Sequence, residues 1–306
     1  MSPVTAFRSA TANISGNLLG MLWLALAGVM FVIFTGIVRH VGSDMNPIQA
    51  AFLRYVIGLL LLIPLIMRLR LGAEMRRARF GWHGLRGLVH GIAVMLWFYA
   101  MTRIPIAEVT ALGFTAPIFS TVGAAMFLGE RLHIRRIGAV LMGFAGALII
   151  LRPGMAAVDI GAVAMVIAAP MFAGSKLIAK LLTRTESGPA IVAILSVVVT
   201  FVTLVPALLV WRTPTMEEMG WISLTAVLAT LSHLAMTQAF KVADLSVTQP
   251  VEFLQLVWAT LLGLYVFGEV PDIFTWIGGA VIVASASYIA HREAVARRVP
   301  VPAAAE

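Results

Sequence analysis

Apolar residues in this chain run for about twenty positions at a time, and polar ones gather in the short gaps between. Ten such runs can be traced, over about 17–38, 48–67, 82–101, 106–127, 133–151, 158–179, 189–210, 220–240, 247–267 and 273–291. A ~30 Å hydrocarbon slab needs ~20 residues of helix to cross it, so each run predicts a transmembrane helix. Barrel strands would alternate polar and apolar positions, which these runs do not. No connection exceeds about fourteen residues. That leaves no room for a soluble catalytic domain, a nucleotide-binding cassette or a receptor module.

The pattern also repeats. Trp82, Leu85, Ala100, Gly129 and Glu130 return at one constant offset as Trp221, Leu224, Ala239, Gly268 and Glu269. Ala51, Leu53, Leu62 and Pro64 return at nearly the same offset as Ala193, Leu195, Leu204 and Pro206, and Met30-Phe31 returns as Met171-Phe172. Recurrence of this kind predicts two copies of one five-helix unit. Five is odd, so the second copy must enter the membrane from the opposite side, the inverted arrangement of many secondary transporters. The expected fold is an all-α membrane protein of ten transmembrane helices, with repeats over 1–152 and 153–292. The repeats meet at Arg152-Pro153-Gly154, where proline and glycine break the helix, and a disordered cytoplasmic tail is expected over 293–306. Pro64 and Pro206 read as packing kinks, while Pro117 and Pro250, on equivalent spans, read as hinges or kinks.

Composition agrees. Hydrophobic residues make up 60% of the chain and charged ones 12%, with mean hydropathy +0.97, whereas a soluble domain carries roughly a quarter charged residues. The net charge of +8 would suit a nucleic-acid partner, but its distribution argues otherwise. Fifteen of the 22 basic residues fall on one side of the expected spans and four (Arg39, Arg103, Arg152, Arg212) on the other. The positive-inside rule then places both termini in the cytoplasm. The basic balance reports topology; the partner it implies is a lipid bilayer, not a nucleic acid. With no cysteine, disulfides and thiol chemistry are excluded. Residues 1–16 lack the apolar core of a signal peptide, so the first span is expected to direct insertion itself.

An ionisable residue inside hydrocarbon marks a cavity, a partner or a route to the interface. In the third span His83, Arg86, His90 and Trp97 share one helical face. His83 and Arg86 lie near the cytoplasmic end, where snorkelling to the interface accounts for them. His90 is near the midplane and either lines a wet cavity or makes a buried hydrogen bond. Arg54 lies only ~6 Å from the midplane of the second span, and its repeat mate is Ser196. It reads as an anion-binding guanidinium or as the fixed partner of a carboxylate or helix-end carbonyl. Gln249, Glu252 and Gln255 form a stripe on the ninth span, whereas Gly113 and Ala116 stand at the positions equivalent to Glu252 and Gln255. A desolvated carboxylate can take up and release protons near neutrality. Glu252 is therefore the candidate for proton coupling or for pairing a cationic substrate group, the alternative being a structural pair with Arg86 or Lys176. His233 in the eighth span is a second cavity histidine or a packing one. Tyr55, Tyr99, Trp23 and Phe253 can stack on a planar solute or simply pack. Glu130 and Glu269, which recur at the ends of the fourth and ninth spans, read as architectural and are set apart from the site. The substrate contacts expected are His90, Arg54, Trp97, Tyr99, His233, Gln255 and Phe253, with Glu252 for the proton; no metal and no cofactor is expected.

Two five-span units, each with a proline-bearing fourth helix closing in Leu128-Gly129-Glu130 or Phe267-Gly268-Glu269, resemble the EamA-type branch of the drug/metabolite transporter superfamily. Leu85-Arg86-Gly87 through Trp97-Phe98-Tyr99 with Ala116-Pro117, and Pro250-Val251-Glu252-Phe253 with Val270-Pro271-Asp272, carry the likeness further; it covers roughly residues 16–292. The resemblance implies a central cavity lined mainly by spans 1, 3, 4, 6, 8 and 9, with spans 5 and 10 as packing or homodimer-facing helices. Members of the superfamily move amino acids, nucleoside- or vitamin-like metabolites, sugars and organic cations. The chain is also similar to the branch that handles bulky metabolites such as adenosylmethionine or riboflavin.

Other chemistries find little support. There is no HExxH motif for an intramembrane metalloprotease, no Walker A loop and no Gly-x-Ser-x-Gly elbow. The expectation is a multi-pass secondary transporter of the inner (cytoplasmic) membrane, not an enzyme. It would move a small polar organic metabolite by alternating access, with protons as a second partner or as a facilitator driven by the solute gradient alone.

Overall fold

The computed structural model describes residues 16–42, 44–76, 78–116, 118–119, 134–151, 159–243, 251 and 254–298. Among them every regular element is helical: α1 (Gly16–Val41), α2 (Pro47–Arg68), α3 (Gly72–Arg76), α4 (Phe80–Arg103), α5 (Ile106–Gly113), α6 (Ile134–Leu151), α7 (Ile160–Leu182), α8 (Gly188–Leu209), α9 (Met216–Val242), α10 (Leu254–Phe267) and α11 (Ile273–Arg298). Six of these, α1, α2, α4, α7, α8 and α9, are long and apolar enough to cross a membrane.

The remaining expected spans are described in part. The fourth is α5, whose end is closed at Phe114, where the backbone N–H turns back onto the carbonyls of Thr110 and Ala111. Residues 120–133, with Glu130, lie outside the described residues, as do Pro117, the Arg152-Pro153-Gly154 junction, Gln249 and Pro250. The fifth, ninth and tenth spans correspond to α6, α10 and α11, and α11 continues to Arg298, into the stretch read as a tail.

Helix starts follow from local chemistry. The Asn46 side chain accepts from the Ile48 N–H at 3.0 Å, with Pro47 in the first turn, where no N–H is needed. Ser187 caps α8 from the Ala190 N–H and Asp159 caps α7 from Gly161. Thr215 and Glu218 form a reciprocal capping box on α9. Along α1, Leu22, Leu26, Val29 and Ile33 face outward while Leu24, Ala27, Phe34 and Val38 are buried. Helical periodicity thus gives the lipid one apolar face and the core another.

The main contacts pair α1 with α9, α4 with α7, α2 with α8 and α6 with α11. Under the sequence offset α1 corresponds to α7 and α4 to α9, so the first two pairings are counterparts. In the α6–α11 pair, a Cβ on Gly146 would stand 2.8 Å from the Gly278 carbonyl oxygen, and one on Gly278 would stand 2.5 Å from that of Gly146. Only glycine at both positions lets the backbones lie this close, the usual route to tight packing where no hydrophobic effect drives helices together.

Polar contacts concentrate at the two ends. At one, Arg39 pairs with Glu269 at 2.7 Å and donates to the carbonyls of Met101 and Ile104, while Glu269 also accepts from the Ile106 N–H at 2.9 Å. Beside it, Arg212 holds Glu218 and the Asp44 carbonyl, and its backbone exchanges hydrogen bonds with the Gln49 amide. The hydrogen bond to Glu218 raises the Arg212 pKa above its ordinary value. At the other end, Lys180 donates to the carbonyls of Phe240 at 2.5 Å and Ala243 at 3.2 Å. Glu74 there accepts from the Ser187 hydroxyl at 2.8 Å.

Candidate functional site

A cavity of about 180 Å³ lies at the centre of the bundle, lined from α1, α2, α4, α5, α7, α9 and α10. One water needs only ~10–15 Å³ of such space, so the cavity has room for water and for the polar groups of a solute, with Arg54, His90 and Gln255 on its wall to meet them. α6 and α11 give it no described side chain. α2 adds Arg54 and Tyr55 to the set of helices that the family likeness implied.

Five of the expected contacts converge here: Arg54, His90, Trp97, His233 and Gln255. Tyr99 is not among the described lining residues; the Arg103 guanidinium carbon lies 5.3 Å from its ring. Glu252 and Phe253 lie outside the described residues.

His90 is buried, and its Nδ1 meets the Ser175 hydroxyl of α7 at 3.0 Å. Its ring stands edge-on to His233 at 5.6 Å and to Phe172 at 5.4 Å, so α4, α7 and α9 are joined through one imidazole. Trp97, two turns further along α4, stacks on Phe34 with centroids 5.4 Å apart and planes 17° from parallel, and Phe31 closes the same wall at 5.7 Å. Large, flat and apolar, this wall suits a ring more than a chain.

Arg54 is 5% exposed. Its guanidinium carbon sits 4.0 Å from the Tyr55 ring centre and 5.3 Å from that of Phe34, and its Nε has no hydrogen-bond partner among the described residues. Arg86 also lines the cavity, with Nη1 donating to the Ile191 carbonyl at 3.3 Å.

Snorkelling, expected for His83 and Arg86, does not occur: each is only 1% exposed. His83 Nε2 instead meets Glu186 Oε2 at 2.6 Å, and Glu186 also accepts from the Arg79 N–H at 3.3 Å. The turn before α8 thus offers a carboxylate to His83 and to the start of α4, and Arg86 meets the Ile191 carbonyl of α8.

Phe31, Phe34, Ser175, Lys176 and Met236 were not among the contacts expected from the sequence, yet all line the cavity. A usable signal existed. Lining positions come in pairs related by the repeat offset: Leu24 with Met165, Phe31 with Phe172, Phe34 with Ser175, and Trp97 with Met236. Among the described residues no three His, Asp or Glu side chains converge to hold a metal ion.

Comparison with known proteins sets this geometry in context. The profile of the EamA-like transporter family matches residues 18–152 and again 159–290. A riboflavin transporter of Vibrio cholerae is 32% identical over 279 residues, covering 90% of this chain and 93% of that one. An S-adenosylmethionine uptake transporter of Rickettsia prowazekii is 25% identical, again covering 90% of this chain and 93% of that one. A solved crystal structure superposes with a TM-score of 0.59 at 19% identity, covering 90% of this chain and 99% of its own, a likeness of fold alone.

Proposed function

The chain belongs to the EamA-like transporter family and is a multi-pass membrane transporter of small metabolites; on that premise we propose that it carries a planar, vitamin- or nucleoside-like solute by alternating access. It would do so in the inner membrane, as ten helices in two inverted repeats over 1–152 and 153–292, with both termini cytoplasmic. Two profile matches, one on each side of residue 153, fit that division.

One observation carries the mechanism. Arg39 grips the carbonyls of Met101 and Ile104. Lys180, the counterpart of Arg39 under the repeat offset, grips those of Phe240 and Ala243, which are the counterparts of Met101 and Ile104. Gly20, in the second turn of α1, lies against Ala243, whereas Arg39 is near the other end of that helix, so the two grips lie at opposite ends of the bundle. The same device at both ends is what two repeats facing in opposite directions would build, and a carrier that opens alternately needs equivalent closures.

Substrate contact is assigned to Arg54, His90, Trp97, His233 and Gln255, with the Phe34–Trp97 stack as the platform for a ring. Glu252 is assigned the proton. In support, Gly113 and Ala116, the mates of Glu252 and Gln255, line the cavity, and so does Gln255. The outer faces of α6 and α11, with Leu141, Met142, Trp276 and Ile277 exposed, are assigned to lipid or to a second copy of the chain.

The test is a thermal-shift screen of purified protein against metabolites, followed by uptake of each stabilising solute into proteoliposomes. Ligands that bind the folded state raise its melting temperature by mass action. A planar solute should both stabilise and be taken up. Uptake confined to non-planar solutes, or no uptake of any stabilising solute, overturns the reading.

A further inference from the structure

We infer that the cavity selects solutes carrying an oxyanion, a carboxylate or a phosphate, beside the planar ring, and that Arg54 sets this selectivity. The inference rests on the transport reading above and narrows its substrate class.

The first reason is unspent hydrogen bonding. Arg54 and Arg86 are both more than nine-tenths buried and line the cavity, and the Nε of each lacks a hydrogen-bond partner among the described residues. The Tyr55 hydroxyl, from the same wall, is buried and has no hydrogen-bond partner among the described residues. Donors left unmade in a buried site are costly, and a ligand that accepts from them recovers that cost on binding.

The second reason is charge. The lining includes three cationic side chains, Arg54, Arg86 and Lys176, and no acidic one among the described residues. In a cavity with low-dielectric walls, charge of one sign draws in the opposite sign and repels its own. Even with Glu252, assigned the proton above, counted on the wall, these cations outnumber the carboxylate three to one.

Geometry supplies the third. The Arg54 guanidinium carbon lies 4.0 Å from the Tyr55 ring centre and 5.3 Å from that of Phe34, so the head group is held on the aromatic wall. Guanidinium N–H groups placed there can bind an oxyanion with two parallel hydrogen bonds. Phe34 also stacks on Trp97. A ring resting on that stack therefore places a short acidic substituent next to Arg54. Packing does not require the charge: the equivalent residue, Ser196, turns its hydroxyl back onto the Val192 carbonyl at 3.0 Å.

Three flavins that share one ring provide the test: riboflavin, which is neutral, its 5′-phosphate, and the N10-carboxymethyl flavin. Binding to the purified full-length chain is read from quenching of flavin emission. At least one anionic flavin should bind about tenfold more tightly than riboflavin, a factor that one charge-assisted pair can supply. Preference for only one of the two tells phosphate from carboxylate. Arg54→Gln and Arg54→Ser should bring the ratio of anionic-flavin to riboflavin affinity down to about one, and Arg54→Lys should keep part of the preference. Because the readout is a ratio on a single preparation, loss of folded protein does not mimic the effect. Equal affinity for all three flavins, or an unchanged preference in Arg54→Gln, overturns the inference and leaves the transport reading intact. Binding of none of the three also overturns it, and the transport reading is then decided by the proteoliposome assay alone.

Discussion

Arg39, near the end of α1, and Glu269, in the connection between α10 and α11, meet at 2.7 Å across one mouth of the bundle. They come from opposite halves of the sequence, and the pair also touches α4 through the Met101 and Ile104 carbonyls and the start of α5 through the Ile106 N–H. One ion pair thus ties α1, α4 and α5 to the α10–α11 connection, at a point where the two halves would separate under the alternating access proposed above. Its partly buried setting gives it more weight than an exposed surface pair.

Glu269→Gln should loosen this mouth. The chain has no cysteine, so a single cysteine introduced at Thr110, on the cavity wall, reports access directly. Labelling by a membrane-impermeant maleimide added from the Arg39 side should rise severalfold in Glu269→Gln. Unchanged labelling would show that the pair does not hold the mouth closed.

Orientation can be tested with fusions. A reporter after Arg298 should be active in the cytoplasm, and one placed within residues 213–219 should report the periplasm. A periplasmic C-terminus would contradict both the charge distribution and the two-repeat topology.

His90 joins three helices through one hydrogen bond, to Ser175, and through edge-on contacts to Phe172 and His233. If the imidazole serves the solute, His90→Ala should reduce uptake at least tenfold while expression and melting temperature change little. A parallel loss of melting temperature and uptake would make it a packing residue instead.

Glu252→Gln keeps shape and hydrogen bonding but cannot release a proton. Uptake by the parent should vary with pH near neutrality, and the variant should lose that dependence while still exchanging solute for solute. A full pH profile in the variant would move the coupling to His90 or His233. A parent without any pH dependence would be a facilitator.

Much of this was legible in the sequence because lipid imposes a simple grammar. Continuous apolar runs located the helices, and the high cost of polar groups in hydrocarbon pointed to Arg54, His90 and His233 before their neighbours were known. What could not be read was which partner each polar group would find. His83 and Arg86 share a face with His90, and nothing on α4 itself foretells that Glu186 and the Ile191 carbonyl, from the start of α8, would meet them. Tyr99 lies only two residues beyond Trp97, yet the ~100° step of the helix turns it from the cavity toward Arg103. Phe34 draws no notice in the sequence; its importance comes from lying against both Trp97 and Arg54, a matter of three helices rather than one.

The contact between Gly146 and Gly278 has a bearing on how this chain can evolve. An alanine at either position drives its methyl into the other's backbone oxygen. Trimming Ile282 or Ile150, whose side chains such a methyl would also meet at 2.8 and 2.6 Å, relieves only part of the clash, because the other atom in the way belongs to the backbone of the smallest residue there is. No local suppressor exists. A chain that loses either glycine can recover only by displacing α6 or α11, or by reverting, so these two silent-looking positions, neither of them on the cavity wall, are closed to gradual change.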